Sequence, residues 1–211
     1  NAGVPVAANI IGPRMRALRI PMRSGLTVRG IRLWPDTAAH VLGVDPVAIR
    51  EMMRPAAELL GMGALSLARA IAKAGSDTAV VAVWEEWLAP RIASAEAPDP
   101  AVRQVVRLLI DSDGAYDTAV AAADVALGTR QLERRFSAAV GLTPKQFARV
   151  RRVRATIGAI LAGERRMAHL EQQLGFPDHA HFIREFRSVA GLTPPQLMEQ
   201  LDQIETGDPS D

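Results

Sequence analysis

The sequence predicts a mainly α-helical protein: a C-terminal all-α region of two similar helical hairpins joined by a linker helix, behind a smaller α+β region with few strands. Three observations carry this. Apolar residues recur at helical spacing from residue 101 to residue 201. The segment Ser94–Pro100, SAEAPDP, separates all three Trp (Trp34, Trp84, Trp87) from all five Phe (Phe136, Phe147, Phe176, Phe182, Phe186), as two separate cores would. A fourteen-residue pattern occurs twice at an offset of 50. The expected boundaries are 1–98 for the α+β region, 99–201 for the helical region and 202–211 for an acidic tail that frays.

Composition sets the outer bounds. A chain of 211 residues holds one large domain or two small ones, and 48% hydrophobic with 23% charged residues is ordinary for a globular protein. Cys is absent, which excludes a disulfide framework, a Cys-ligated zinc and a thiol nucleophile, and fits a reducing compartment. No apolar run approaches the length of a membrane span, and no basic start leads into an apolar run, so neither a membrane nor export is expected. The chain starts Asn1-Ala2 without Met, and reads as a fragment headed by a cloning remnant.

In the N-terminal region, Met15–Ile20 and Leu26–Trp34 are apolar-rich runs behind Gly12-Pro13 and Ser24-Gly25, and read as strands. Two strands are too few for an independent sheet, so residues upstream of Asn1 are expected to complete it. Asp36 is placed as the cap of a short helix ending at Gly43. Asp45-Pro46 reads as N-cap and N1 of a helix through Met52, and Ala64–Ala74 as a helix. Asp77 is placed as the cap of a helix whose stripe Val80, Val83, Trp84, Trp87 and Leu88 reads as core in preference to a dimer face.

Every element of the C-terminal region reads as helical. Ala101–Ile110 repeats Val and Leu at helical spacing, and Thr118–Leu127 is Ala-rich. Arg130–Val140 sets Leu132, Phe136 and Val140 four apart. A longer helix opens at Pro144, with Phe147, Val150, Val153, Ile157 and Ile160 on one side and Arg149, Arg151, Arg152 and Arg154 on the other. Met167–Leu174 is short, Asp178 caps a helix bearing Phe182 and Phe186, and Pro194 opens a last helix through Leu201.

The net charge of +2 hides an asymmetry. Residues 128–187 carry 12 basic and 5 acidic residues, nearly all the cations being Arg, whereas 188–211 carry five acids and no base. A basic stretch of this kind is the footprint of a polyanion binder, and Arg suits phosphate forks and guanine edges. Residues 134–147, RRFSAAVGLTPKQF, and 184–197, REFRSVAGLTPPQL, share seven of fourteen positions, among them Arg134/Arg184, Phe136/Phe186, Gly141/Gly191 and Thr143-Pro144/Thr193-Pro194. In each copy the Phe anchors a helix, the Gly ends it in the left-handed region and Thr-Pro starts the next. The Arg lies away from the Phe and projects outward. A short helix precedes each copy, so each is a helix-turn-helix unit, and two such units could meet successive major-groove segments.

The strings LGTRQLERRFSAAVGLTPKQFARVRRVR and LGFPDHAHFIREFRSVAGLTP carry a resemblance to the DNA-binding domain of the AraC/XylS family of bacterial transcription regulators. It covers residues 100–198; GIRLWPDTAAHVLGVDP, in the N-terminal region, is similar to the end of the family's sensor or dimerisation region. The resemblance implies a sequence-specific transcription regulator with base-facing positions at Arg130, Gln131, Glu133 and Arg134 and at His179, Ala180, His181 and Arg184. Chemistry agrees: Arg134 and Arg184 suit guanine, Gln131 adenine, Glu133 cytosine and Ala180 a thymine methyl. Thr143, Arg149, Arg152 and Arg166 are the phosphate candidates. Double-stranded DNA is the implied partner, with RNA polymerase, a small-molecule effector and a second copy of the chain as further ones. No cofactor is implied, and the location is cytoplasmic. Two departures stand out: Gly128 where the family caps with Ser, and Glu171 where it packs a small Ala and where a carboxylate must lean out or find a partner.

Other constellations carry less. His179 and His181 are two apart on a helix and point to different sides, which disfavours a shared metal. Arg14, Arg32, Trp34 and His40 are the candidates for an effector pocket, although Trp34 more readily packs the sheet on its helices. An enzyme reading, such as the repair methyltransferases that share this domain, lacks its Cys. The alternative function is a helical interaction module whose Arg faces bind acidic proteins. Steep salt dependence with base discrimination separates the two.

Overall fold

A computed structural model describes residues 7–20, 25, 27–173, 175, 176 and 178–206. Among these, eleven helices accompany one two-stranded sheet. The chain forms two compact units, each discontinuous in sequence. The first takes the described residues of Asn1–Arg14, Ile20–Arg103 and Arg130–Thr143; the second takes those of Met15–Arg19, Gln104–Thr129 and Pro144–Asp211.

In the first unit, β1 (Asn9–Ile11) pairs antiparallel with β2 (Met53–Pro55), Ile10 facing Arg54. Gly12 continues the pairing by donating to Met52 O at 3.0 Å. A Cβ on Gly12 would stand 2.0 Å from Ile49 O, so no side chain fits there. The sheet is not where the residue pattern put it. The described residues of Met15–Ile20 and of 26–34 form no strand, and Leu26 lies outside the described residues. A strand needs a partner edge. Ala17 instead donates to Val189 O at 2.7 Å, and Arg29 sends its guanidinium to Ile71 O at 3.1 Å.

Helix α1 (Ala38–Leu42) ends at Gly43 in the left-handed region, as expected. Its N-cap is Thr37, not Asp36, which is 3% exposed and takes the Arg103 Nε–H at 3.2 Å. A buried carboxylate bound to a guanidinium is not free to cap. The helix expected over residues 46–52 is a run of turns. Asp45 does accept from the Val47 N–H at 2.8 Å, but Glu51 follows at φ 61° and breaks any helix. Helix α2 (Ala56–Leu60) packs on α3 (Gly63–Lys73), and α3 on α4 (Asp77–Ser94). Ser76, not Asp77, caps α4, its Oγ accepting from Ala79 N at 3.2 Å. On the α4 stripe Val80 is buried, while Val83, Trp84, Trp87 and Leu88 are half-buried. Trp34 does not pack the sheet: it is 54% exposed.

Helix α5 (Pro100–Asp111) buries Val102, Val105, Val106 and Leu109 completely. Asp117 caps α6 (Thr118–Asp124), which stops short of the expected Leu127 because Ala126 takes φ 53°. Then follow α7 (Thr129–Val140), α8 (Pro144–Leu161), α9 (Met167–Gln173), α10 (His179–Ala190) and α11 (Pro194–Thr206). Residue 174, placed at the end of α9 from sequence, lies outside the described residues. Helix α11 runs past Leu201 to Thr206, so the first acidic residues beyond Leu201 are helical. In the second unit Val153, Ile160, Leu170, Phe182, Phe186 and Val189 form a buried cluster joined by Phe176, Leu192 and Leu197. Phe182 stacks between Phe176 and Phe186 at centroid distances of 4.8 and 6.2 Å, in tilted and edge geometries that aromatic rings favour.

Candidate nucleic-acid interface

Two helices each bury one stripe and expose another. In α7, Leu132, Phe136 and Val140 are buried, whereas Arg130, Gln131, Glu133 and Arg134 are exposed. In α10, Phe182, Phe186 and Val189 are buried, whereas His179, Ala180 and Arg184 are exposed and His181 is half-buried. Asp178 caps α10, Oδ1 accepting from His181 N at 2.6 Å, and Gly191 ends it at φ 79°. Residues one helical turn apart share a face, so anchoring the Phe stripe turns the Arg stripe outward. Neither Arg134 nor Arg184 is bonded or ion-paired to another described residue. Both are free to meet a ligand.

The arginines of α8 and Arg166 differ. The side of α8 read as an arginine face is largely turned inward. Arg151 donates to Asp113 at 2.8 Å and to Ile110 O at 3.2 Å; among its four Arg only Arg154 is exposed. Arg152 grips Glu185 with Nε and Nη2 at 2.9 and 3.1 Å, and its Nη1 reaches Gly114 O at 2.8 Å. Arg149 bonds Ser188, and its Nε stands 4.0 Å from Glu185. Arg166, although exposed, is forked on Glu164, which also accepts from the Arg165 and Arg166 backbone and from His169. The Arg166 guanidinium and its backbone N–H, with His169, hold the Glu164 carboxyl far below the usual carboxylate range. Arg149, Arg152 and Arg166 are thus engaged by partners within the protein. The fourth phosphate candidate, Thr143, is half-buried ahead of α8.

Glu171, the carboxylate that replaces a small residue, finds a partner. Its Oε1 meets His179 Nδ1 at 2.5 Å, so α9 orients the first exposed ring of α10. His181 turns the other way, with Nε2 3.2 Å from Glu185 Oε2. Of the effector candidates, Arg14 donates to Glu51 O at 2.8 Å, Arg32 and Trp34 are exposed, and His40 is half-buried on α1.

Three working residues escaped the sequence reading. Glu185 is one: a lone acid beside an outward Arg reads as solvated. Asp99 is another. It caps α5 through Ala101 N and Val102 N at 3.0 and 3.3 Å and also takes the Arg135 Nε–H at 2.6 Å. The third is Gln196, whose Oε1 accepts from Thr193 N at 2.9 Å while Thr193 Oγ1 accepts from Gln196 N at 3.4 Å. That reciprocal capping box was legible as Thr-x-x-Gln, which both copies of the repeat contain.

Each of α7 and α10 thus buries a stripe anchored by an aromatic ring and exposes a cationic one, as helices that read DNA do. Residues 121–200 match the family model described as a helix-turn-helix domain, of the AraC type. Residues 121–200 therefore carry an AraC-type helix-turn-helix domain, a DNA-binding domain found in transcription regulators. No curated protein and no solved structure matches the chain. Among the described residues no helix is long and apolar enough to cross a membrane.

Proposed function

We propose that the protein is a sequence-specific regulator that reads two adjacent major-groove segments, one through α7 and one through α10. Arg130, Gln131, Glu133 and Arg134 face the first segment, and His179, Ala180 and Arg184 the second, with His181, half-buried against Glu185, at the edge of that face. One observation carries this: at equivalent positions of the repeat, Arg134 and Arg184 are exposed and unbonded among the described residues, while Phe136 and Phe186 are fully buried. A repeat kept only for packing has no use for a free Arg at the same place in both copies. Each free Arg can form a bidentate pair with guanine. The N-terminal region modulates this binding through a small-molecule effector or a second copy of the chain. Arg14, Arg32, Trp34 and His40 are the effector candidates, RNA polymerase is a further partner, and the protein works in the cytoplasm.

Selection of duplexes from a randomised pool by the 211-residue chain, at two salt concentrations, tests this. Two enriched blocks about one helical turn apart, lost at high salt, are expected. Retention without enrichment would overturn sequence reading. No retention at low salt would move the assignment to an Arg-rich module for acidic proteins.

A further inference from the structure

Resting on that reading, we infer that Glu185 and Arg152 form a positioning clamp that sets the rotation of α10 and hence base discrimination by Arg184. Arg152 then acts within the protein and not on a phosphate.

Glu185 is a charged residue with only 8% of its side chain exposed, on a helix otherwise anchored by Phe182 and Phe186. Both carboxylate oxygens are engaged: Oε1 by Arg152 Nε at 2.9 Å, Oε2 by Arg152 Nη2 at 3.1 Å and His181 Nε2 at 3.2 Å. A two-pronged contact of this kind fixes direction as well as distance, because guanidinium and carboxylate are both planar. The third Arg152 nitrogen binds Gly114 O at 2.8 Å. Gly114 lies directly against α8, where a Cβ would stand 2.1 Å from Ala148 O. One guanidinium therefore ties together α8, α10 and the turn that leads into α6.

Successive helix residues are about 100° apart around the axis. His181 and Glu185 lie on one stripe of α10, and Ala180 and Arg184 on the next. Holding the first stripe against α8 sets the direction of the second. Phe182 and Phe186 alone seat the helix in an apolar groove, where contacts are non-directional and leave some rotation free. The other copy of the repeat has the same device. Arg135, which follows Arg134 as Glu185 follows Arg184, is tethered to Asp99 at 2.6 Å. A charged tether directly after the outward Arg, opposite in sign in the two copies, is what positioning requires and what a phosphate contact does not.

The test uses the 211-residue chain, a duplex recovered from the randomised pool, and that duplex with each base pair changed in turn. Affinities are measured at two salt concentrations for the unmodified chain, Glu185→Gln, Arg152→Met, Arg184→Ala and the Glu185→Gln/Arg184→Ala double variant. Thermal unfolding is followed alongside. Glu185→Gln keeps an amide oxygen for Arg152 and guards against loss of fold. Both clamp variants are expected to lower discrimination at the base pair read by Arg184 by about tenfold, close to the Arg184→Ala loss. Discrimination in the block read by α7 and the salt slope should stay unchanged, and Arg184→Ala should add little to Glu185→Gln. If Arg152→Met flattens the salt slope with every base preference intact, or Glu185→Gln tightens binding to all sequences, Arg152 is a phosphate contact and the inference fails. Equal losses in both blocks that track the fall in melting temperature would reduce the clamp to general stability and also overturn it. Absence of any block preference in the unmodified chain is the separate signature that the sequence-reading proposal itself is wrong, and the clamp's role falls with it.

Discussion

Arg135 donates from Nε to Asp99 Oδ2 at 2.6 Å, so the carboxylate that caps α5 also holds the flank of α7. Burial raises the Asp99 pKa, but the Arg135 bond, the Val102 and Ala101 N–H groups and the Arg135 charge outweigh it and hold the carboxyl below its ordinary 3.8. Because the folded value lies below the unfolded one, this contribution is complete above pH 3.8 and drains away as pH falls through the folded value. Asp99→Ala should cost about 1 kcal/mol through the lost cap and should flatten the acid limb of the stability curve. Urea midpoints measured across the acid range check both; an unchanged acid limb would remove Asp99 from the account.

The exposed Arg residues should behave differently from their tethered neighbours. Arg134→Ala and Arg184→Ala should each cost about 1–3 kcal/mol of binding and relax one base pair, in different blocks of the site. Neither should move the melting temperature by much, since surface substitutions are usually within about 0.5 kcal/mol. Binding to a panel of single-base-pair variants reads the outcome; uniform weakening across the panel would disqualify the base contacts.

Gly114 combines φ 82° with the 2.1 Å approach to Ala148 O. Gly114→Ala should destabilise by more than the 1–3 kcal/mol ascribed to strained backbone alone, because the turn must also retreat from α8. Gly163, at φ 98° with open space around it, is the control: Gly163→Ala meets only the backbone strain. Melting temperatures of the two variants, which should fall much further for Gly114→Ala, compare them directly.

Phe186 is wholly buried between Phe182 and the apolar side of α8. Phe186→Ala should cost about 3–5 kcal/mol, a large part of the stability of a small domain. Denaturant unfolding measures the loss, and Phe186→Leu should recover most of it.

The helical half was legible because its signals are local. Periodic apolar residues, Gly at helix ends and Thr-Pro at helix starts determined α7 to α11 to within a few residues, and the repeat pointed to Arg134 and Arg184 as outward. The N-terminal half was less legible because a short strand is defined by its partner. Residues 15–20 and 27–34 have the composition of strands, but no described edge pairs with them, while Asn9–Ile11 found Met53–Pro55 more than forty residues away. Charge was the other blind spot. Arg149, Arg152 and Arg166 are identical in composition to Arg134 and Arg184, and sequence spacing cannot tell a free guanidinium from one turned onto Glu185 or Glu164. Helix periodicity is a property of neighbours along the chain. The choice between a partner inside the protein and one outside it is made by distances between residues far apart in sequence, such as Arg152 and Glu185, and only the folded chain sets those.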